Sequence, residues 1–421
     1  MGNGYYAIMR VTDYGPYITK LVLPVDGTVK SAQVSTKQFC VYSERLDDNG
    51  KVLNLPRSWM APDDKEPSCG YVPLTDAYAS DRNGNRCEAG NAITLCLAYG
   101  PTMQLTAAIC APEGVNVYIT NHFVITQIAE VKTNMGMMTG TVCNLCLGRR
   151  QPDLDGWLLG RTEHPSHPLR YGYFVPQSTQ EKKPLIVWLH GAGEGGFDTW
   201  IPFTGNKVVA MATPEIQKHF GGAYIFAPQC ETFWLDDGSG QYGRSGKSMY
   251  TEALFDAIEY FVARHADIDR DRIYVGGDSN GGFMTMRMIL DYPAYFAAAF
   301  PVCEALYDSA IGDEEIKKVK HLPIWFTHAK TDPVVKPEDT VVPTYHRLKA
   351  AGAQIHFTFW DSIHDIHEGF KGEDGKPYEY NGHFAWIPLL NDDCRLDYDN
   401  RPVVVDGREI SLLEWLSMQH R

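Results

Sequence analysis

The stretch "YVGGDSNGGFMTMRMIL", Tyr274–Leu290, sets a single serine, Ser279, between two pairs of glycines. A serine hydroxyl is a weak nucleophile at its own pKa and needs a base, which in turn needs an acid to orient it. Glycine weakens a strand and costs a helix about 1 kcal/mol relative to alanine. Four glycines in seven residues therefore mark a backbone geometry that side chains would forbid. "RIYVGG" reads as a strand and "NGGFMTMRMILDY" as a helix, with Phe283, Met284, Met288 and the Arg287 stem on the packed side. Gly277-Asp278-Ser279-Asn280-Gly281 is then a G-x-S-x-G nucleophile elbow, with the serine Oγ projecting above the sheet. The pentapeptide alone is a weak signal, since a tight turn with a buried serine would fit it. The strand before and the helix after carry the reading.

In an elbow of this kind the partners follow in the order serine, acid, histidine. Of the histidines after Ser279, His356 sits inside strand-like "QIHFTFW", His328 ends "PIWFTHA" and His346 fits a helix. His383, in "YNGHFAWIPLLND", has a glycine before it and a loop setting, and it is the expected base. His364 in "DSIHDIHEGF" is its rival. The expected acid is Asp332 in "FTHAKTDPVVKPED", just past a strand end where ligands gather in open α/β sheets; Asp361 is the alternative. Acyl transfer also requires donors for a tetrahedral oxyanion, and the N–H groups of Asn280 and Ala192 are placed for it by the elbow and by "LIVWLHGAGEGGFDTW". Glu194, Trp234 and Trp386 are candidate pocket residues; Trp200, Trp234 and Trp386 suit stacking on a ring as well as core packing.

Competing chemistries fit less well. "GSGQYGRSGKS" has Gln241 where a P-loop requires glycine, and no Rossmann fingerprint follows a strand. Cys143 and Cys146 form one CxxC with no second pair to complete a zinc site, so no metal or cofactor is expected. The chain has 421 residues, 44% of them hydrophobic, 21% charged, and a formal net charge of −14. That balance disfavours nucleic acid or an anionic membrane as partner. No apolar run approaches a membrane span, and the start lacks the pattern of a signal peptide. A cytoplasmic protein is expected, or a secreted one had a leader been removed.

Two kinds of pattern divide the chain. Up to about residue 130, "ITKLVLPV", "QFCVYSERL", "AITLCLAYG" and "VNVYITNHFVITQIAEV" alternate with "DDNG", "DRNGN" and "APEG", as in a sandwich of short antiparallel strands. "NMGMMTGTVCNLCLGRRQPDLDGW" is irregular and holds the boundary, giving domains of 1–135 and 150–421. Beyond about residue 168, apolar strands alternate with helices such as "SMYTEALFDAIEYFVARHA", whose Leu254, Ile258, Phe261 and Val262 share a face. This is an α/β, doubly wound, mostly parallel sheet. No Pro/Ser-rich tether separates the domains, so the first is expected to support the second rather than to search for a separate partner.

With "WLHGAGEGG", "FAPQC", "GGDSNGG", "HAKTDPVV", "GHFAWIPLLND" and "LLEWLSMQ", residues 168 to 421 resemble the α/β-hydrolase superfamily. More narrowly, the chain resembles esterases related to polyhydroxybutyrate depolymerases that carry an N-terminal immunoglobulin-like domain. The resemblance implies Ser279 as nucleophile, Asp332 as acid and His383 as base, with Ala192 and Asn280 as oxyanion donors. It departs in Asn280, where many relatives have methionine, and in the polar insertion "DSIHDIHEGFKGEDGKPYEYNG" before His383. The implied activity is hydrolysis of carboxylic esters of small-molecule, carbohydrate or phenolic type, with a homo-oligomer compatible. A serine peptidase of the prolyl-oligopeptidase-like branch and a non-catalytic binding protein on a hydrolase scaffold are the alternatives.

Overall fold

The computed structural model describes residues 4–58, 61–112, 114–177 and 181–421. Contacts divide the chain into residues 1–155 and 156–421.

In the first unit, strands Phe39–Leu46 and Thr120–Gln127 are buried at every second residue. That period of two belongs to a sheet with one covered face. With Cys69–Val72 and Val142–Cys143 they make a four-stranded sheet, and Gly4–Thr12, Gly15–Lys30 and Ala89–Leu97 lie in a seven-stranded one. The sheets meet where Tyr5 packs edge-on against Phe123, with centroids 6.1 Å apart, and its hydroxyl accepts the Phe123 N–H at 3.0 Å. The sandwich is not wholly antiparallel, because Gly4–Thr12 pairs in parallel with Leu145–Arg150. The irregular segment thus contributes strands to this unit. Asp153 also belongs to it, accepting from Arg10 Nε at 2.8 Å and the Val11 N–H at 2.7 Å.

The second unit is built on eight strands: β1 (Trp157–Arg161), β2 (Arg170–Phe174), β3 (Lys183–Leu189), β4 (Tyr224–Gln229), β5 (Ile268–Asp278), β6 (Ala298–Val302), β7 (Ile324–Ala329) and β8 (Ile355–Trp360). Their order in the sheet is β1-β2-β4-β3-β5-β6-β7-β8. β2 is antiparallel to both neighbours, and every pair from β4 to β8 is parallel. Every residue of β3, β4 and β7 is buried, as a sheet covered on both faces requires. Helix α1 (Thr251–Arg264) buries Leu254, Ile258, Phe261 and Val262 on one face. Helix α2 (Asn280–Asp291) follows β5 and is buried from Asn280 through Leu290. This is an α/β doubly wound fold preceded by an immunoglobulin-like sandwich.

Register places the C-terminal strand ends side by side. Leu189 of β3 pairs with Gly277 of β5, Asp278 with Val302 of β6, and Val302 with Thr327 of β7. The residues that follow, His190-Gly191, Ser279 and Cys303, leave the sheet along one edge, beside His328 near the end of β7.

Candidate active site

Ser279 is the one partly exposed residue in an otherwise buried run from Ile273 to Leu290. Its backbone lies at φ 56°, ψ −112°, a conformation that L-residues rarely adopt and that surrounding structure must enforce. The Ser279 N–H donates to Val302 O at 2.9 Å, and Ser279 O accepts the Phe283 N–H that starts α2. The glycines permit this turn. A Cβ on Gly281 would lie 1.8 Å from Leu189 O, one on Gly277 2.2 Å from the same atom, and one on Gly282 2.6 Å from Val302 O. Strands β3 and β6 approach the elbow backbone so closely that only hydrogen fits.

His383 and Asp332 come together as expected. Asp332 Oδ2 accepts from His383 Nδ1 at 2.8 Å, and Asp332 Oδ1 accepts the Val334 and Val335 N–H groups at 2.8 and 3.0 Å. With Nδ1–H committed to the carboxylate, the lone pair of His383 is on Nε2, the tautomer a general base needs. The loop is tight: a Cβ on Gly382 would lie 2.5 Å from the Thr331 carbonyl carbon, so the glycine before His383 lets it reach the acid loop. Asn381 Oδ1 accepts the His383 N–H at 2.9 Å, and Trp386 stands edge-on to the imidazole.

The rivals lie elsewhere. His364 is exposed and bonded to Ser362 in a two-stranded hairpin. Asp361 is 84% exposed and pairs with Lys330. The polar insertion forms that hairpin, with buried Asp365 accepting from the Tyr380 hydroxyl at 2.8 Å.

His328 has a part that sequence reasoning did not assign. Fully buried, it donates from Nε2 to Asp332 Oδ2 at 2.9 Å, so that one oxygen receives two imidazoles. Burial pushes the Asp332 carboxyl up, but the hydrogen bonds from His328 and His383 outweigh it and hold the group well below the usual carboxylate range. The signal was the spacing of four between a strand-end histidine and a loop aspartate, but a strand histidine ordinarily reads as core.

Cys303, at φ 35°, places its thiol with Asp332 and His383 so that one ligand atom from each lies within 4.8 Å of the others. Such a set resembles a metal cluster. Burial, however, pushes the Cys303 thiol well up and keeps it protonated, and Asp332 already serves two imidazoles, so the donors suit a hydrogen-bonded relay better.

The expected oxyanion donors sit on loops in contact. Ala192 opens a 3-10 turn after β3, and Asn280 opens α2, whose N-terminus carries positive dipole. Asn280 is itself held, its Oδ1 accepting the Leu235 N–H at 2.9 Å. Of the pocket candidates, Glu194, Trp234 and Trp386 are all buried. Trp234 has no exposed surface and packs against His190 and Tyr250, so it supports the loop rather than offering a stacking face. A more accessible aromatic surface lies one residue before it. Phe233 stacks on Tyr242 at 4.3 Å, and Tyr242 is 68% exposed.

Comparison with known proteins agrees with this fold. The family profile "Esterase Ig-like N-terminal domain" matches residues 4–140, and "Prolyl oligopeptidase family" matches residues 232–308, which include the elbow. A feruloyl esterase B from Neurospora crassa is 30% identical over 40% of this chain and 52% of its own length. A poly(3-hydroxyalkanoate) depolymerase C from Paucimonas lemoignei is 28% identical over 32% of this chain and 31% of its own. The chain thus spans about half the length of the first relative and a third of the second. A solved thermostable esterase superposes with a TM-score of 0.76 at 23% identity, covering 99% of this chain and all of that one. The chain is an α/β-hydrolase-fold protein. Its residues 4–140 match the profile of an immunoglobulin-like domain found in esterases.

Proposed function

We propose that the protein is a serine hydrolase of carboxylic esters, with Ser279 as nucleophile, His383 as base and Asp332 as acid. The carrying observation is the 2.8 Å contact between His383 Nδ1 and Asp332 Oδ2, together with the strained, partly exposed Ser279 at the same sheet edge. His383 Nε2 takes the Ser279 proton as Oγ attacks the ester carbonyl. The N–H groups of Asn280 and Ala192 donate to the developing oxyanion, each worth roughly 2.7–4 kcal/mol in such sites. Collapse expels the alcohol, protonated by His383, and leaves an acyl-serine. Water, deprotonated by the same imidazole, then releases the acid. Asp332 holds the ring and stabilises its charged form throughout. No step calls for a metal or organic cofactor.

An ester with an aromatic acyl or alcohol group is the proposed substrate class. Its support is the Phe233–Tyr242 stack, in which Phe233 stands two residues before Leu235, whose N–H meets Asn280, and the name of the feruloyl esterase relative. The prolyl-oligopeptidase match keeps peptide hydrolysis as the second reading. Turnover of methyl ferulate, p-nitrophenyl acetate and an acylaminoacyl peptide by wild type and Ser279→Ala tests both. Ester turnover that vanishes in the variant supports the proposal. Hydrolysis of the peptide alone, or ester turnover that survives in the variant, would overturn it.

A further inference from the structure

Two buried carboxyl groups near the elbow have no part in the steps above. Asp278 immediately precedes Ser279 and is 1% exposed; Glu194 ends the 3-10 turn that begins at Ala192 and is 4% exposed. Their oxygens converge on Gly191. A Cβ there would lie 2.7 Å from Asp278 Oδ2 and 2.8 Å from Glu194 Oε2. Asp278 Oδ2 accepts from Asn206 Nδ2 at 3.1 Å, and the Gly191 N–H hydrogen-bonds the same carboxyl. Asp278 Oδ1 is buried with no hydrogen-bond partner among the described residues. The Glu194 end of the turn is fixed as well, since Gln229 Nε2 donates to Glu194 O at 2.9 Å and to Asp198 O at 3.0 Å.

Two ionised carboxylates this close in a dry site would repel strongly, and the buried Asp278 Oδ1 would be an orphaned charge. One shared proton removes both problems. We propose that Asp278 and Glu194 are positioning residues that share one proton and thereby fasten the Gly191–Glu194 loop, with its Ala192 N–H, to the residue beside the nucleophile. Burial first, and the Glu194 charge second, push the Asp278 carboxyl well above the usual range. The other titratable groups facing Asp278 supply no positive charge. Burial lowers His190 to about 4, leaving it neutral, and keeps the Cys303 thiol protonated. Lys207, next to Asn206, directs its ammonium to Glu368 and Asn391. When the shared proton leaves at alkaline pH, repulsion separates loop from elbow and the oxyanion donors lose alignment. That loss falls on kcat, because the donors act in the transition state.

The inference rests on Ser279 being the nucleophile. Asn at 278 keeps an oxygen to accept from Asn206 and cannot ionise, so it removes the charge without emptying the site. The test follows acid release from ethyl butyrate in a pH-stat between pH 6 and 10, with wild type, Asp278→Ala, Asp278→Asn, Glu194→Gln and Ser279→Ala in parallel. Expected is a kcat at least tenfold lower for Asp278→Ala, with KM within threefold. Asp278→Asn should recover kcat to within about fivefold of wild type. In both Asp278→Asn and Glu194→Gln, kcat should stay level at high pH where the wild-type value falls. An Asp278→Asn enzyme as impaired as Asp278→Ala, or one whose alkaline limb superposes on that of wild type, overturns the inference. Turnover surviving in Ser279→Ala instead overturns the assignment of the nucleophile.

Discussion

His383 Nδ1 meets Asp332 Oδ2 at 2.8 Å across 51 residues of chain. Strand β7 brings the acid to the sheet edge, and the close pass of Gly382 over Thr331 brings the base to the acid. In the proposed mechanism this contact fixes the imidazole that serves Ser279. His383→Ala is expected to lower kcat/KM for p-nitrophenyl acetate by about 10³-fold or more, as loss of a triad histidine does. His364→Ala should stay within about twofold of wild type. Steady-state kinetics of the two purified variants decide between them.

His328 shares the Asp332 oxygen with His383 and is fully buried. Its removal leaves a buried cavity and deprives the carboxylate of one donor. His328→Ala should therefore lower kcat by about tenfold, far less than His383→Ala, while lowering Tm more. Thermal melts beside kinetics on both variants check this ordering.

Glu304, at the turn after β6, is 1% exposed; its Oε2 accepts the Leu306 N–H at 2.7 Å, and its Oε1 is buried without a hydrogen-bond partner among the described residues. Burial raises its carboxyl from 4.5 to about 8. A group raised in the folded state contributes stability that is fully present below its unfolded value, so this contribution declines from about pH 4.5 and is lost as pH passes about 8. Glu304→Gln keeps an acceptor for Leu306 and removes the titration. Its Tm should exceed that of wild type by at least about 2 °C at pH 8, with the gap closing toward pH 5. Scanning calorimetry at the two pH values tests the sign.

Gly281→Ala would force a Cβ to within 1.8 Å of Leu189 O, a backbone atom that cannot rotate away. The substitution should destabilise by about 3 kcal/mol or more, because the β3–elbow junction must separate. Urea denaturation of the variant measures it.

Tyr242 and Phe233 form an accessible aromatic stack, with Phe233 two residues before Leu235, whose N–H meets Asn280. If they receive the substrate ring, Tyr242→Ala should raise KM for methyl ferulate by about fivefold, several times its effect on p-nitrophenyl acetate. A paired KM comparison reads the difference.

Much of this was legible in the chain. Ser279, Asp332 and His383 carry local signals: a glycine-flanked serine at a strand–helix switch, an acid past a strand end, and a glycine-led loop histidine. What escaped was tertiary. The pairing of Asp278 with Glu194 depends on β3 and β5 being neighbours in register, which no local pattern states. His328 resembles a core residue until Asp332 turns back on it. Strand Leu145–Arg150 went unread because Leu145 and Leu147 are exposed, leaving no alternation to detect. Strand Trp157–Arg161, an edge strand with one buried residue, was missed for the same reason.

The central claim is that Ser279 Oγ is the attacking atom, and covalent trapping tests it most directly. Wild-type protein treated with a fluorophosphonate should gain one adduct, which mass spectrometry of the digest assigns to Ser279. His383→Ala should label far more slowly and Ser279→Ala not at all. An adduct on another residue, or labelling of Ser279→Ala at the wild-type rate, would contradict the account.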